Sequence, residues 1–119
     1  DIDWDANTIK IVLIDEADDT IDLAVDDNLD DRASAARVAT SAALSSKTTA
    51  AGVADAADVT LSAVTGDPCE SIDGYKDTGT ESTSRLLFNI DTATGLPVTP
   101  NGGDITVNWS NGSDRIFRL

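Results

Sequence analysis

Apolar residues in this chain come in short runs, and each run is closed by a polar turn. Most runs alternate apolar with polar residues, the period of a strand that buries one face. None approaches the ~18 apolar residues that would read as a transmembrane helix. Only one stretch has helical composition. A chain punctuated in this way folds as strands joined by turns. The reading is therefore all-β: residues 1–119 form a single β domain, a β-sandwich or small barrel. It should have about seven to nine short strands and at most one short helix.

The rest of the chain is organised around residues 72–91, IDGYKDTGTESTSRLLFNID, which read as one hairpin. A polar loop over residues 77–84, containing Gly79, separates its two runs. In the second run Leu86, Phe88 and Ile90 fall on one face, with Arg85, Leu87 and Asn89 on the other. Earlier, TIKIVLID (residues 8–15) sets Ile9, Ile11 and Leu13 against Lys10, Val12 and Ile14. An apolar run filled on both faces is the mark of a central strand. TIDLAV (residues 20–25) alternates and reads as a half-exposed strand.

DDNLDDRASAA (residues 26–36) is the helical stretch, one or two turns long, with Asp and Asn suited to its start and Ala and Arg to its interior. Residues 37–43 and 46–51 read as edge strands around a turn at residues 44–46. Residues 58–64 form a strand, and residues 65–70, with Gly66 and Pro68, a turn. Residues 91–104 form a long loop rich in Pro and Gly. Ile105, Val107 and Trp109 then share one strand face. Asn111-Gly112, a favoured hairpin dipeptide, should join that strand to a last one over residues 115–119, with Phe117 and Leu119 inward.

Charge excludes some functions. The net charge is −14, from nineteen Asp and three Glu against three Lys and five Arg. Such a surface repels phosphates, so neither nucleic acid nor an anionic membrane is a partner through the chain's own field. It suits a saline setting. Aromatic residues are 4% of the chain, so the core is thin and depends on strand pairing or partner subunits. The chain starts at Asp1 without methionine, which suggests that residues 1–7 continue from a preceding arm.

No convergent catalytic set can be named, so the expectation is a protein that is not an enzyme and needs no cofactor. There is no His, the commonest general base and metal ligand. The single Cys69 has no partner for a disulfide and reads as a small turn residue beside Pro68. Carboxylate pairs are abundant enough to arise by chance. Calcium is the more serious chemistry, because Asp15, Asp18 and Asp19 in DEADD, and Asp26, Asp27 and Asp30 in DDNLDD, offer oxygen ligands at short spacing. Neither run has EF-hand spacing, which favours reading both as solvated loops. Trp109 reads as core. Trp4, in an acidic segment, is a core lid or an anchor against a neighbouring subunit.

The run YKDTGTESTS (residues 75–84), followed by LLFNID and by TGLPVTPNGGDITVNW…IFRL, resembles a family of small structural proteins from the virion module of tailed bacteriophages. DIDW leading into TIKIVLID, then LDD…ARVATSAAL and GVADAADVTLSAVTGD, is similar to the same family. The resemblance thus covers nearly the whole chain. Three residues depart from it. Asp73-Gly74 stand where apolar strand residues are expected, which should weaken that strand, and Arg85 stands where Pro is common.

The resemblance implies a non-enzymatic virion component, in the first place a capsid decoration or cement protein on the outer capsid surface. It implies the major capsid protein and copies of itself, as trimers, as partners. Contacts are then expected from the two loops and the N-terminal segment, through Trp4, Lys76, Asp77, Thr78, Thr80, Leu96 and Val98. A neck, tail or fibre-associated component is the alternative within the virion. A glycan-binding, adhesin-like β-sandwich is the alternative outside it.

Overall fold

The computed structural model describes residues 2–113 and 115–118. It contains nine short strands and, among the described residues, three single 3-10 turns and no α-helix. The first strand, β1 (Ile9–Ile14), is buried at every position except Lys10. It lies inside a four-stranded antiparallel sheet, flanked by β2 (Arg37–Thr40) and β6 (Ser71–Lys76), with β7 (Leu86–Ile90) outside β6. The central position expected of an apolar run filled on both faces is the one observed. A second sheet joins β3 (Thr48–Ala50), β4 (Val53–Asp55) and β9 (Phe117–Arg118), and a third pairs β5 (Val59–Leu61) with β8 (Ile105–Val107). The sheets do not close, so the architecture is sandwich-like and the barrel alternative falls away.

The main core lies between the four-stranded sheet and the two smaller ones. Ile9, Ile11, Leu13 and Ile72 meet Ala54, Leu61 and Trp109 there, with Phe88 and Phe117 packed against them. The opposite face of the large sheet is also covered. Val12, Ile14 and Tyr75 pack with Leu29 and Ala36 from the segment that joins β1 to β2. Four aromatic rings compensate for the low aromatic content by clustering. Phe88 lies 6.5 Å from Trp4, 6.4 Å from Trp109 and 5.7 Å from Phe117 between ring centroids. The Trp109 and Trp4–Phe117 contacts are edge-on, the arrangement that ring quadrupoles favour.

Several local expectations are corrected. Residues 20–25 are not a strand. The Asp22 carboxylate accepts the Ala24 N–H, and the Asp26 carboxylate accepts the Asp22 N–H. These side-chain bonds offer the backbone an alternative to sheet pairing and leave Leu23 and Val25 exposed. The helical stretch is two 3-10 turns, Leu29–Asp31 and Ser34–Ala36.

The Asn111-Gly112 turn does not join paired strands. β8 pairs with β5, and β9 with β4. Trp109 leaves the strand first, donating its backbone N–H to the Asp58 carboxylate and its indole N–H to the Ala57 carbonyl. Leu119, expected to point inward, lies outside the described residues, as do Asp1 and Asp114.

The hairpin of residues 72–91 forms, but not with the expected faces. The register between β6 and β7 shifts after the Gly74–Phe88 pair, so that Tyr75 is opposite Leu86 and Leu87 is extra. This bulge moves Leu86 to the second cluster, while Phe88 and Ile90 stay on the main core. Asp73 and Gly74 do not weaken β6, which is buried over Ser71–Tyr75. Gly74 makes room for the Phe88 ring, since a Cβ there would fall 2.3 Å from it. Asp73 is 1% exposed and receives the Nε–H of Arg32, itself 1% exposed. Asn89 donates to the same carboxylate at 2.8 Å, and Arg32 also pairs with Asp26. A buried charge is tolerable when paired and hydrogen-bonded in this way.

Candidate interaction site

The loop between β6 and β7 spans residues 77–84. It is exposed from Thr78 to Thr83. It is also tied down by its own short side chains. Asp77 accepts the Gly79 N–H at 2.9 Å, and Gly79 has the positive φ of 84° that this turn needs. Ser84, buried, accepts the Thr78 N–H at 3.1 Å and donates to the Thr80 carbonyl at 2.8 Å. The Thr78 and Thr83 hydroxyls bond at 2.6 Å. A 3-10 turn over Glu81–Thr83 completes the loop.

Two ion pairs fasten the loop to the sheet. The Lys10 ammonium lies 2.7 Å from the Asp77 carboxylate, and its hydrogen bond holds that carboxyl below its usual range, helped by the Gly79 N–H. Arg37 donates two N–H groups to the carboxylate of Glu81, at 2.7 and 3.2 Å. This lowers the Glu81 pKa. Both pairs link residues far apart in sequence, and no local signal announces them.

The structure sorts the residues picked from sequence. Thr78 and Thr80 are exposed on the loop, and Lys76 and Asp77 are half-buried at its base. Ile2, Asn28, Lys76, Thr83 and Arg85 line a shallow cleft of about 600 Å³ beside it. Of these only Lys76 was singled out as a contact. An apolar Ile2 in an otherwise acidic segment was the available signal for the N-terminal part. Trp4 takes the core alternative, since it is 7% exposed and its indole donates to the Asp55 carbonyl at 3.0 Å. Leu96 and Val98 do not join the loop. Val98 pairs with Cys69 just before β6 begins, whereas the loop follows where β6 ends. Both are half-buried and border a cleft of about 370 Å³ with Leu13 and Ile72.

The acidic runs do not assemble as the sequence placed them. Asp15 and Asp18 come together with Asp67, their oxygens within 4.8 Å of one another. Asp19 instead accepts the Ala33 N–H, Asp26 pairs with Arg32, and Asp27 faces Arg85 at 3.8 Å. Repulsion from Asp15 raises the Asp18 pKa. Asp15, the buried member of the three, also accepts the Ala17 N–H. Burial pushes the Cys69 thiol up to about 11, so it is protonated and unreactive near neutral pH.

No family model matches the chain, and no curated protein matches its sequence.

Proposed function

We propose that this chain is a non-enzymatic structural protein of a phage virion, a capsid decoration or cement protein that binds the outer shell and stabilises contacts between capsomers. Its partners are then the major capsid protein and copies of itself. The observation that carries the reading is the loop of residues 77–84. It holds the string in which the resemblance is most specific, it is exposed, and it is fixed by its own hydrogen bonds and two ion pairs. A loop ordered in advance loses little conformational entropy on docking. Contacts that are weak singly add up when many copies bind one shell.

The test is the stoichiometry of the chain in purified virions, by quantitative mass spectrometry against the major shell protein. A ratio near one per shell subunit, or one trimer per three-fold site, supports the decoration role. A few copies per particle moves the protein to the neck or tail. Absence from virions overturns both and returns attention to glycan binding.

A further inference from the structure

The chain contains two Asn-Gly pairs, Asn101-Gly102 and Asn111-Gly112, one on either side of β8. An asparagine followed by glycine is open to attack by its own main chain. The glycine nitrogen, once deprotonated, can reach the asparagine side-chain carbonyl carbon, and no Cβ on the glycine obstructs the approach. Both asparagines are exposed. Sequence and exposure therefore treat the two alike, but their hydrogen bonds do not.

At the first pair the attacking nitrogen is engaged. The Gly102 N–H donates to the Val64 carbonyl at 2.8 Å, and the Gly103 carbonyl accepts the Val64 N–H at 2.9 Å. Val64 is buried. The Asp104 carboxylate accepts the Ala63 N–H at 3.0 Å, a third tie between the same two segments. The Asn101 side chain is held as well, its Oδ1 accepting the Gly103 N–H at 2.9 Å. Ring closure requires the nitrogen to shed its proton and the side chain to swing onto it. Here both movements break bonds that fasten the loop before β8 to the segment after β5.

At the second pair the restraints are local. The Gly112 N–H donates to the Ser110 hydroxyl at 3.0 Å, an exposed group that water replaces at little cost. The Arg115 guanidinium donates to Asn111 Oδ1 at 3.3 Å. That oxygen gathers negative charge as the nitrogen adds to the carbonyl, so a cation beside it favours the addition.

We infer that Asn111 is a self-modification site, converted to aspartate and isoaspartate with Arg115 assisting, and that the contact with Val64 protects Asn101. The Gly112 nitrogen gives its proton to solvent base and bonds to the Asn111 side-chain carbonyl carbon. The carbon–nitrogen bond of the carboxamide breaks, and ammonia leaves with a proton from water. Water then opens the succinimide ring at either carbonyl. In sum a water is consumed and an ammonia released, with no change in oxidation state. Each conversion adds a negative charge to the net −14 and places it beside Arg115. Isoaspartate also lengthens the main chain between β8 and β9 by a methylene. This inference does not depend on the virion reading.

Peptide mapping by mass spectrometry tests it, after the full chain is incubated at mildly alkaline pH. Conversion at both asparagines is followed in the folded chain and in guanidinium chloride. In the folded chain Asn111 should convert at least about tenfold faster than Asn101, the factor that one anchoring hydrogen bond supplies. In guanidinium chloride the two rates should converge. Arg115→Gln should slow Asn111 about threefold in the folded chain and leave the unfolded rate unchanged. Equal rates in the folded chain, an Asn101 that outruns Asn111, or a preference for Asn111 that persists undiminished in guanidinium chloride overturns the inference. An Arg115→Gln chain that converts as fast as wild type overturns the part given to Arg115.

Discussion

Two residues that look wrong for a strand hold the central hairpin together. Gly74 lacks the side chain a buried strand wants, yet the space above it is filled by the Phe88 ring. Phe88 in turn touches three other aromatic rings. Gly74→Ala should therefore cost about 3 kcal/mol or more, because the ring cannot move without disturbing the whole cluster. Chemical denaturation measures this, and a loss below about 1 kcal/mol would mean the ring has room to shift. Asp73 is acceptable only because Arg32 and Asn89 reach it. Arg32→Met should destabilise by about 3–5 kcal/mol, since it leaves a buried carboxylate without its counter-charge. Adding Asp73→Asn to that variant should recover part of the loss. A double variant no better than the single would place the cost in packing instead of charge.

At the scale of elements, local turn chemistry and long-range pairing compete. The β3–β4 hairpin turns through Ala51 and Gly52, with φ of 51° and 80°. Two positive values in a two-residue loop are what hairpin twist prefers, but alanine pays a steric penalty in that region. Ala51→Asn should raise stability by about 0.5–1 kcal/mol, read as a rise in Tm. An unchanged Tm would show that the turn is relaxed as it stands. The Asn111-Gly112 dipeptide shows the opposite outcome. Its local preference is overridden because burying Trp109, with both its N–H groups satisfied, outweighs a turn that could form anywhere. The loop of residues 77–84 was legible in sequence as polar and exposed. Its rigidity was not, because it rests on hydroxyl-to-carbonyl geometry and on Lys10 and Arg37 arriving from other strands.

At the scale of the whole molecule, two small sets of acids respond oppositely to pH. Burial first, and then Glu70 and Asp91, raise the pKa of Glu16; the Asp15 carboxylate raises that of Asp18. Groups raised in this way oppose folding while ionised, and the penalty fades as pH falls through their folded pKa values. Asp31, held by the N–H groups of Asn28 and Asp27, is lowered, as are Asp77 beside Lys10 and Glu81 beside Arg37. These three stabilise the fold above their unfolded pKa values, and that support is lost as pH falls through the folded ones. Tm should therefore rise as acidification protonates the raised pair, and fall once pH drops below about 4. Salt should flatten the rising part, which owes much to repulsion. A Tm that only falls from pH 7 downward would show that the paired acids outweigh the crowded ones.

The sequence alone determined the fold class, the central place of β1 and the solvated hairpin loop. These follow from local alternation and turn composition, which act over a few residues and need no knowledge of partners. The tertiary structure decided the rest. It paired β8 with β5 and β9 with β4, turned the alternating residues 20–25 into a loop, and buried Trp4. It also set the bulge at Leu87 that sends Leu86 and Phe88 to opposite faces. Each of these depends on which distant segment fills which space. Close packing of the few bulky side chains in a thin core is a condition on the whole molecule, and no window of the chain contains it.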